Sequence, residues 1–266
     1  MSTSELQSEH PAPSEKKLAP KILRFRKSER HLHWALAIPF LGCFFSAMIL
    51  VLLYNPDPIR PYRALFSWMH RISGLFFLFL PPLVCLKNGR DFRLLCYNVK
   101  QAWIWTAEDV KWLLLMGLAA LSSKIRLPEQ GKFNAAEKLN FMNLMATYPL
   151  YILTGTMVWV TDNAFAAWLI HCCMAVMATP LLGGHIFMAT INPASRLGLS
   201  GMVSGFVDRH WARLHYTKWY REHFEKPHAL QASGPEPAGG GELEVASERG
   251  DINALGYSMP GKLIKP

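Results

Sequence analysis

The sequence predicts an all-α membrane protein: a four-transmembrane-helix bundle with cytoplasmic termini and an interfacial helix in the middle loop. Three observations predict it. Four apolar blocks interrupt an otherwise polar chain, each about 20 residues or longer, the length a helix needs to cross the hydrocarbon of a bilayer. Basic residues crowd the connections on one side only. Residues 1–33 hold seven Lys and Arg, 87–138 hold nine and 192–225 hold five, whereas the two other connections hold two (Arg60 and Arg63) and none. Positive loops stay inside, so both ends and the middle loop face the cytoplasm. Finally, the five cysteines show no C-x-x-C spacing, which argues against a disulfide framework, an iron–sulfur or zinc site and a covalently attached haem.

Composition agrees with this class. The 266 residues are 51% hydrophobic and 18% charged, with a net charge of +9. A pI near 9.4 raises nucleic acid as a partner, but the basic residues flank apolar blocks, so the expected partner is the lipid bilayer and no nucleic acid is expected. Residues 1–30 carry no cleavable signal pattern, so the first span is expected to serve as the insertion signal.

The elements follow in order. Residues 1–21 are polar without an apolar period and predict a disordered tail. A basic collar follows from Ile22 and ends on His33 and the interfacial Trp34. The first span runs from Trp34 to Tyr54, with Pro39 and Gly42 as bending points, and Asn55-Pro56-Asp57-Pro58 turns the chain. The second runs from about Phe66 to Leu86, where Pro81-Pro82 predicts a kink or an end. In the middle segment only Trp112–Leu121 is apolar, too short to span and suited to the interface. The third span covers roughly Leu139 to Thr161 with a kink at Tyr148-Pro149. After the turn Asp162-Asn163, the fourth covers Ala164 to Ile191. Residues 192–224 read as polar, with His210, His215 and His223 expected to be solvated. Residues 226–266 read as a second disordered tail, leaving one membrane domain over 22–225.

Chemistry is carried by four histidines in or beside the apolar blocks. His171 and His185 lie 14 positions apart on one helix, about 21 Å along its axis and on the same face. In the predicted topology His33 and His185 share an inner layer, and His70 and His171 share an outer one. Two histidines at each of two depths, on different helices, suit bis-imidazole ligation of two b-type haems inside a helix bundle. His31 rivals His33 but lies farther from the apolar block. Gly74, Gly155, Gly183 and Gly184 stand beside the ligands, where a flat macrocycle needs close backbone. Arg71 and the group Arg24, Arg26 and Arg30 are near enough in sequence to pair with haem propionates.

A second constellation, Gly131-Lys132-Phe133-Asn134-Ala135-Ala136-Glu137-Lys138, precedes the third span. Asn134, Lys132 and Glu137 offer donors and a proton source for a quinone at the cytoplasmic interface. The same residues also read as a helix N-cap, with Asn134 capping and Glu137 completing a capping box.

These motifs resemble the cytochrome b (gamma) subunit of respiratory formate dehydrogenase. The resemblance covers about residues 22–224. It rests on His33-Trp34, Trp68-Met69-His70-x-x-x-Gly74, the GKFNAAEK segment, Leu169-Ile170-His171, Gly184-His185-Ile186-Phe187-Met188-Ala189, and the run from Gly205 through Trp211, His215 and Trp219 to Glu222. It implies two haem b ligated by His33, His70, His171 and His185, and menaquinone reduced near His185 and Asn134. It also implies an iron–sulfur electron-transfer subunit and a catalytic dehydrogenase subunit as partners in the bacterial inner membrane. The family's usual Asn-Ala-Gly-Gln-Lys is here Asn134-Ala135-Ala136-Glu137-Lys138, and its usual His-His is His215-Tyr216. The same wire would serve a hydrogenase, a thiosulfate-type reductase or a multihaem partner, and a haem-free anchor is the alternative from another class.

Overall fold

A computed structural model describes residues 20–52, 62–87, 89–122, 124–161 and 164–225. The expected tail segments 1–19 and 226–266, and the turns at 55–58 and 162–163, lie outside the described residues. The long helices are α1 (Lys27–Leu52), α2 (Arg63–Leu86), α3 (Gly89–Trp103), α4 (Ala107–Leu121), α5 (Ala135–Val160) and α6 (Phe165–Ile186), the last continuing through a π-helical turn to Ile191. Short helices α7 (Leu199–Val203), α8 (Arg209–His215) and α9 (Thr217–Tyr220) close the described chain.

Among the described residues three helices are long and apolar enough to cross a membrane: Lys27–Val51, Arg63–Leu86 and Phe165–Ile191. Their apolar side chains point outward. Ile38 and Phe45 of α1, Phe79 and Leu83 of α2, and Val176 and Met177 of α6 are all exposed. A water-soluble fold buries such residues, so these faces are built for lipid. The expected third span is α5, which is as long as α1 but carries Glu137, Lys138, Asn140, Asn143 and Thr147 in its first half and is not among the three.

The helices form two pairs. α1 packs along α2, and α5 along α6. α1 and α2 approach closely at Gly42, where an added Cβ would lie 3.1 Å from Ser73 Cβ. Contacts between the pairs include aromatic rings and one hydroxyl. Phe40 meets Tyr151, and Phe77 meets Tyr148. Prolines explain the hydroxyl. α2 runs through Pro81 and Pro82 to Leu86 rather than ending there. Neither proline has an N–H, so the carbonyls four residues earlier, Phe77 and Leu78, lose their helical donors. Tyr148 Oη of α5 donates to both, at 3.0 and 3.2 Å. In an apolar interior a freed carbonyl needs such a partner.

The middle segment departs from expectation. It holds two helices where one short interfacial stretch was expected. α3 was hidden by its charges, yet Leu94, Asn98 and Ala102 repeat every four residues and form one buried stripe. α4 begins five residues before Trp112, because Thr106 and Asp109 form a capping box.

The most buried apolar cluster lies outside the long helices. Ile22, Val207, Trp211, Ala212, Tyr216, Trp219 and Tyr220 pack together. Two short strands frame them, β1 (Lys21–Leu23) antiparallel to β2 (Phe206–Asp208), with Ile22 opposite Val207. So Lys21, expected within the tail, opens a strand, and the 192–224 segment is a packed cap rather than a solvated one. Of its histidines only His210 is exposed. His215 stacks on Trp211 at 4.7 Å and donates Nδ1–H to the Trp211 carbonyl, and His223 does the same to Trp219. Burial pushes both imidazoles below their ordinary pKa. Gly205 turns the chain into β2 at φ 95, and its carbonyl accepts from Arg24 N and Phe25 N. A Cβ there would sit 2.8 Å from the Phe25 carbonyl oxygen, so this left-handed position requires glycine.

Candidate functional site

The structure brings the four intramembrane histidines together as two pairs. His33 of α1 faces His185 of α6, with ring centroids 6.1 Å apart. His70 of α2 faces His171 of α6, with centroids 6.2 Å apart. The first pair lies at the collar end of the bundle, where the neighbouring Trp34 donates Nε1–H to the Met202 carbonyl. The second lies at the far end. His31 joins neither pair.

This spacing tests whether a metal fits. A metal–imidazole bond is about 2 Å and a ring nitrogen lies about 1.1 Å from its centroid, so an iron between two imidazoles sets the centroids about 6 Å apart. Two imidazoles hydrogen-bonded directly to one another would have centroids about 5 Å apart. The observed values fit the first arrangement.

Tautomers agree at the far pair. His70 Nδ1 lies 3.0 Å from the Cys43 carbonyl, which only accepts, so Nδ1 carries the proton. His171 Nδ1 lies 2.9 Å from Thr154 Oγ1. That hydroxyl donates its one hydrogen to the Leu150 carbonyl at 2.6 Å, so it accepts from His171. Both rings therefore keep Nε2 as a bare lone pair, the form in which imidazole binds iron. Among the described residues no hydrogen bond reaches the rings of His33 or His185.

The glycines divide. Gly155 sits against His171, where a Cβ would come within 3.2 Å of Cε1. Gly74, Gly183 and Gly184 face open space, with nothing within 4 Å of an added Cβ. Gly74 stands one turn beyond His70, and Gly183 and Gly184 immediately precede His185. Gly183 and Gly184, like His185, are exposed, so the space at them is open to the outside of the bundle.

The arginines expected at propionates make the following contacts within the described residues. Arg71 stacks over Trp68 and Trp159, at 5.4 and 5.6 Å. Arg30 donates Nη1–H to the Val203 carbonyl at 2.6 Å, while its Nε is buried with no partner. Arg24 lies 3.4 Å above the Tyr216 ring and reaches Glu137 at 3.3 Å.

The capping box expected in the second constellation is present, but its charges do not all face solvent, since the side chains of Lys132 and Lys138, 3% and 12% exposed, are held in ion pairs. Asn134 Oδ1 accepts from Glu137 N, and Glu137 Oε2 accepts from Asn134 N, both at 2.9 Å. Asn134 Nδ2 is left with one long contact, 3.4 Å to Tyr216 Oη. Glu137 Oε1 accepts from Tyr216 Oη at 2.8 Å. Burial drives the Tyr216 phenol well above its ordinary pKa, which keeps it the donor. Lys132 is buried, 2.7 Å from Glu29 and 2.8 Å from Asn98, so it neutralises a carboxylate. Sequence reasoning missed Tyr216, Asn98 and Glu29 as parts of this network, since their partners lie far away along the chain.

A family model described as prokaryotic cytochrome b561 matches residues 24–205. The chain belongs to the prokaryotic cytochrome b561 family. Among relatives of this cytochrome, the cytochrome b556(Fdn) subunit of nitrate-inducible formate dehydrogenase from Escherichia coli strain K12 is 29% identical over 80% of this chain and 95% of its own length. The formate dehydrogenase cytochrome b556 subunit of Haemophilus influenzae is 26% identical over 76% and 83%. The cytochrome b556(fdo) subunit of Escherichia coli strain K12 formate dehydrogenase is 24% identical over 76% and 92%. The formate dehydrogenase resemblance read from the motifs agrees with these relatives.

Proposed function

We propose that this cytochrome is the dihaem membrane subunit of a formate dehydrogenase-like respiratory oxidoreductase of the bacterial inner membrane. It takes electrons from an iron–sulfur partner on the outer face and passes them to menaquinone on the cytoplasmic side. The observation that carries the reading is the pair of histidine couples at opposite ends of the bundle, each spaced for one iron.

Haem b, held by His33 and His185 and by His70 and His171, supplies one-electron chemistry at each site when bound. The protein's own part is to fix the ligands. Thr154 and the Cys43 carbonyl hold two of the rings in the ligating tautomer. The catalytic dehydrogenase chemistry belongs to the partner subunits.

Parity supports a fourth crossing by α5. β1 leads into α1 and β2 follows α6, yet the two strands pair. That pairing supports an even number of crossings, for which the three apolar spans need one more. α5 supplies it, running from the level of Arg24, which reaches Glu137, to the level of His171, which touches Gly155. The excess of Lys and Arg in the collar supports a cytoplasmic location for both termini.

Quinone reduction consumes two electrons and two protons. Asn134 Nδ2, held loosely by Tyr216, is the donor offered to a quinone oxygen near His185. Glu137, with a side chain 35% exposed, connects this edge to water. Lys132 holds the loop that presents Asn134.

The test is haem stoichiometry in the purified protein. Two haems per chain, falling to one or none in His171→Ala, is the expected result. Unchanged haem content in that variant, or a colourless wild-type protein, overturns the reading.

A further inference from the structure

The two histidine pairs are chemically unequal. At the far pair both rings donate Nδ1–H to a strong acceptor within the bundle: His70 to the Cys43 carbonyl at 3.0 Å and His171 to Thr154 Oγ1 at 2.9 Å. Ser46 Oγ adds a third contact, 3.2 Å from His70 Nδ1. At the collar pair neither His33 nor His185 donates any such bond among the described residues.

We propose that Thr154 and the Cys43 carbonyl are positioning residues that set the far site at the lower reduction potential of the two. The inference rests on the dihaem reading. Its chemical basis is general. An imidazole that donates Nδ1–H to an acceptor gains anionic character and becomes a more basic ligand through Nε2. A more basic ligand stabilises the more oxidised metal and lowers the potential. Both far-site rings are strengthened in this way and neither collar-site ring is, so the bias falls on one site. One electron leaves the far site and one arrives at the collar site, and that exchange is downhill. The electron enters the far site from a one-electron donor on the outer face. Two such transfers, with two protons from the cytoplasm, convert quinone to quinol at the collar end. Downhill transfer from the outer to the inner face thus comes from two acceptors that the fold places on one side only.

Thr154 is well suited to the task. Its hydroxyl is fixed by donation to the Leu150 carbonyl at 2.6 Å, one turn back on α5, and its side chain is buried. It can only accept from the histidine. Gly155, the next residue, lets His171 lie against α5 closely enough for that bond to form.

The experiment is an optical redox titration of the purified wild-type protein, followed by Thr154→Val and Thr154→Ser. The wild type should titrate in two separate waves. In Thr154→Val the lower wave should rise by about tenfold in the exchange equilibrium between the sites, about 59 mV for one electron, while the upper wave stays in place. Thr154→Ser keeps the acceptor and should restore the wild-type lower wave, a rescue that a purely steric role of the side chain would not produce. Two haems with an unmoved lower wave in Thr154→Val, or a shift confined to the upper wave, overturn the proposal and leave the dihaem reading standing. Absence of two haems in the wild type overturns the dihaem reading itself. If Thr154→Val does not accumulate, Thr154→Ala replaces it with the same expected shift.

Discussion

Replacing Lys132 by methionine strips the positive charge from a carboxylate that the fold has sealed off. Lys132 Nζ lies 2.7 Å from Glu29 Oε1 and 2.8 Å from Asn98 Oδ1, and the side chains of Lys132 and Glu29 are only 3% and 8% exposed. At that burial, solvent screening does little to soften the loss. Removing one partner of a buried ion pair costs about 3–5 kcal/mol, because the other charge stays desolvated. That is roughly two to four orders of magnitude in the folded-to-unfolded ratio. Methionine matches the length of the lysine stem, so packing against Tyr97 and Phe133, which Lys132 overlies, is largely kept. The double variant Glu29→Gln/Lys132→Met removes both charges and should regain most of the loss, since the amide can still accept from Arg26 N and bond Asn98. The assay is thermal unfolding of the detergent-solubilised protein by circular dichroism, with the half-life at fixed temperature as a second readout because membrane proteins often unfold irreversibly. A single variant within about 0.5 kcal/mol of wild type, or a double variant weaker than the single, refutes the argument that Lys132 acts as the counter-charge.

Two further predictions follow from contacts already described. Tyr148→Phe removes the donor shared by the Phe77 and Leu78 carbonyls that Pro81 and Pro82 leave free, and should cost about 1–3 kcal/mol in the same unfolding assay. At Asp109, burial raises the carboxyl pKa, but hydrogen bonds from Lys138 and Thr106 outweigh it and hold the group below its ordinary value. Its stabilising contribution is therefore complete above about pH 4 and is lost as pH falls through the depressed folded-state value. Asp109→Asn should lower the melting temperature at neutral pH, and the gap from wild type should close on acidification below about pH 4.

What the sequence disclosed and what it hid divide along a physical line. Helical periodicity is local, so the placement of His171 and His185 on one face needed no partner, and the matched depths of His33 with His185 and of His70 with His171 followed from topology. The Asn134–Glu137 cap is equally local, three residues apart, and was readable as a cap. Segment 87–138 was opaque because its hydrophobic signal is diluted. α3 buries only one narrow stripe, and its charges conceal it from any reading of average polarity. The collar was opaque for another reason. Ile22, Trp211, Tyr216 and Trp219 look like scattered aromatic and aliphatic residues until β1 and β2 pair, and nothing in either short segment names the other. Roles for Thr154 and Tyr216 were equally out of reach, since a hydroxyl acquires meaning only from what lies within 3 Å of it.

The pairing of β1 with β2 sets the order in which the molecule can be completed. The first strand is translated before any membrane helix, and its mate is translated only after α6. Until then Ile22 and Arg24 have no lid, and the bundle stays unfastened at the collar end. The last helical hairpin must therefore be in place before the collar can be stapled shut. A chain cut just after residue 191 would keep all four paired histidines and lack the clasp that holds them in register.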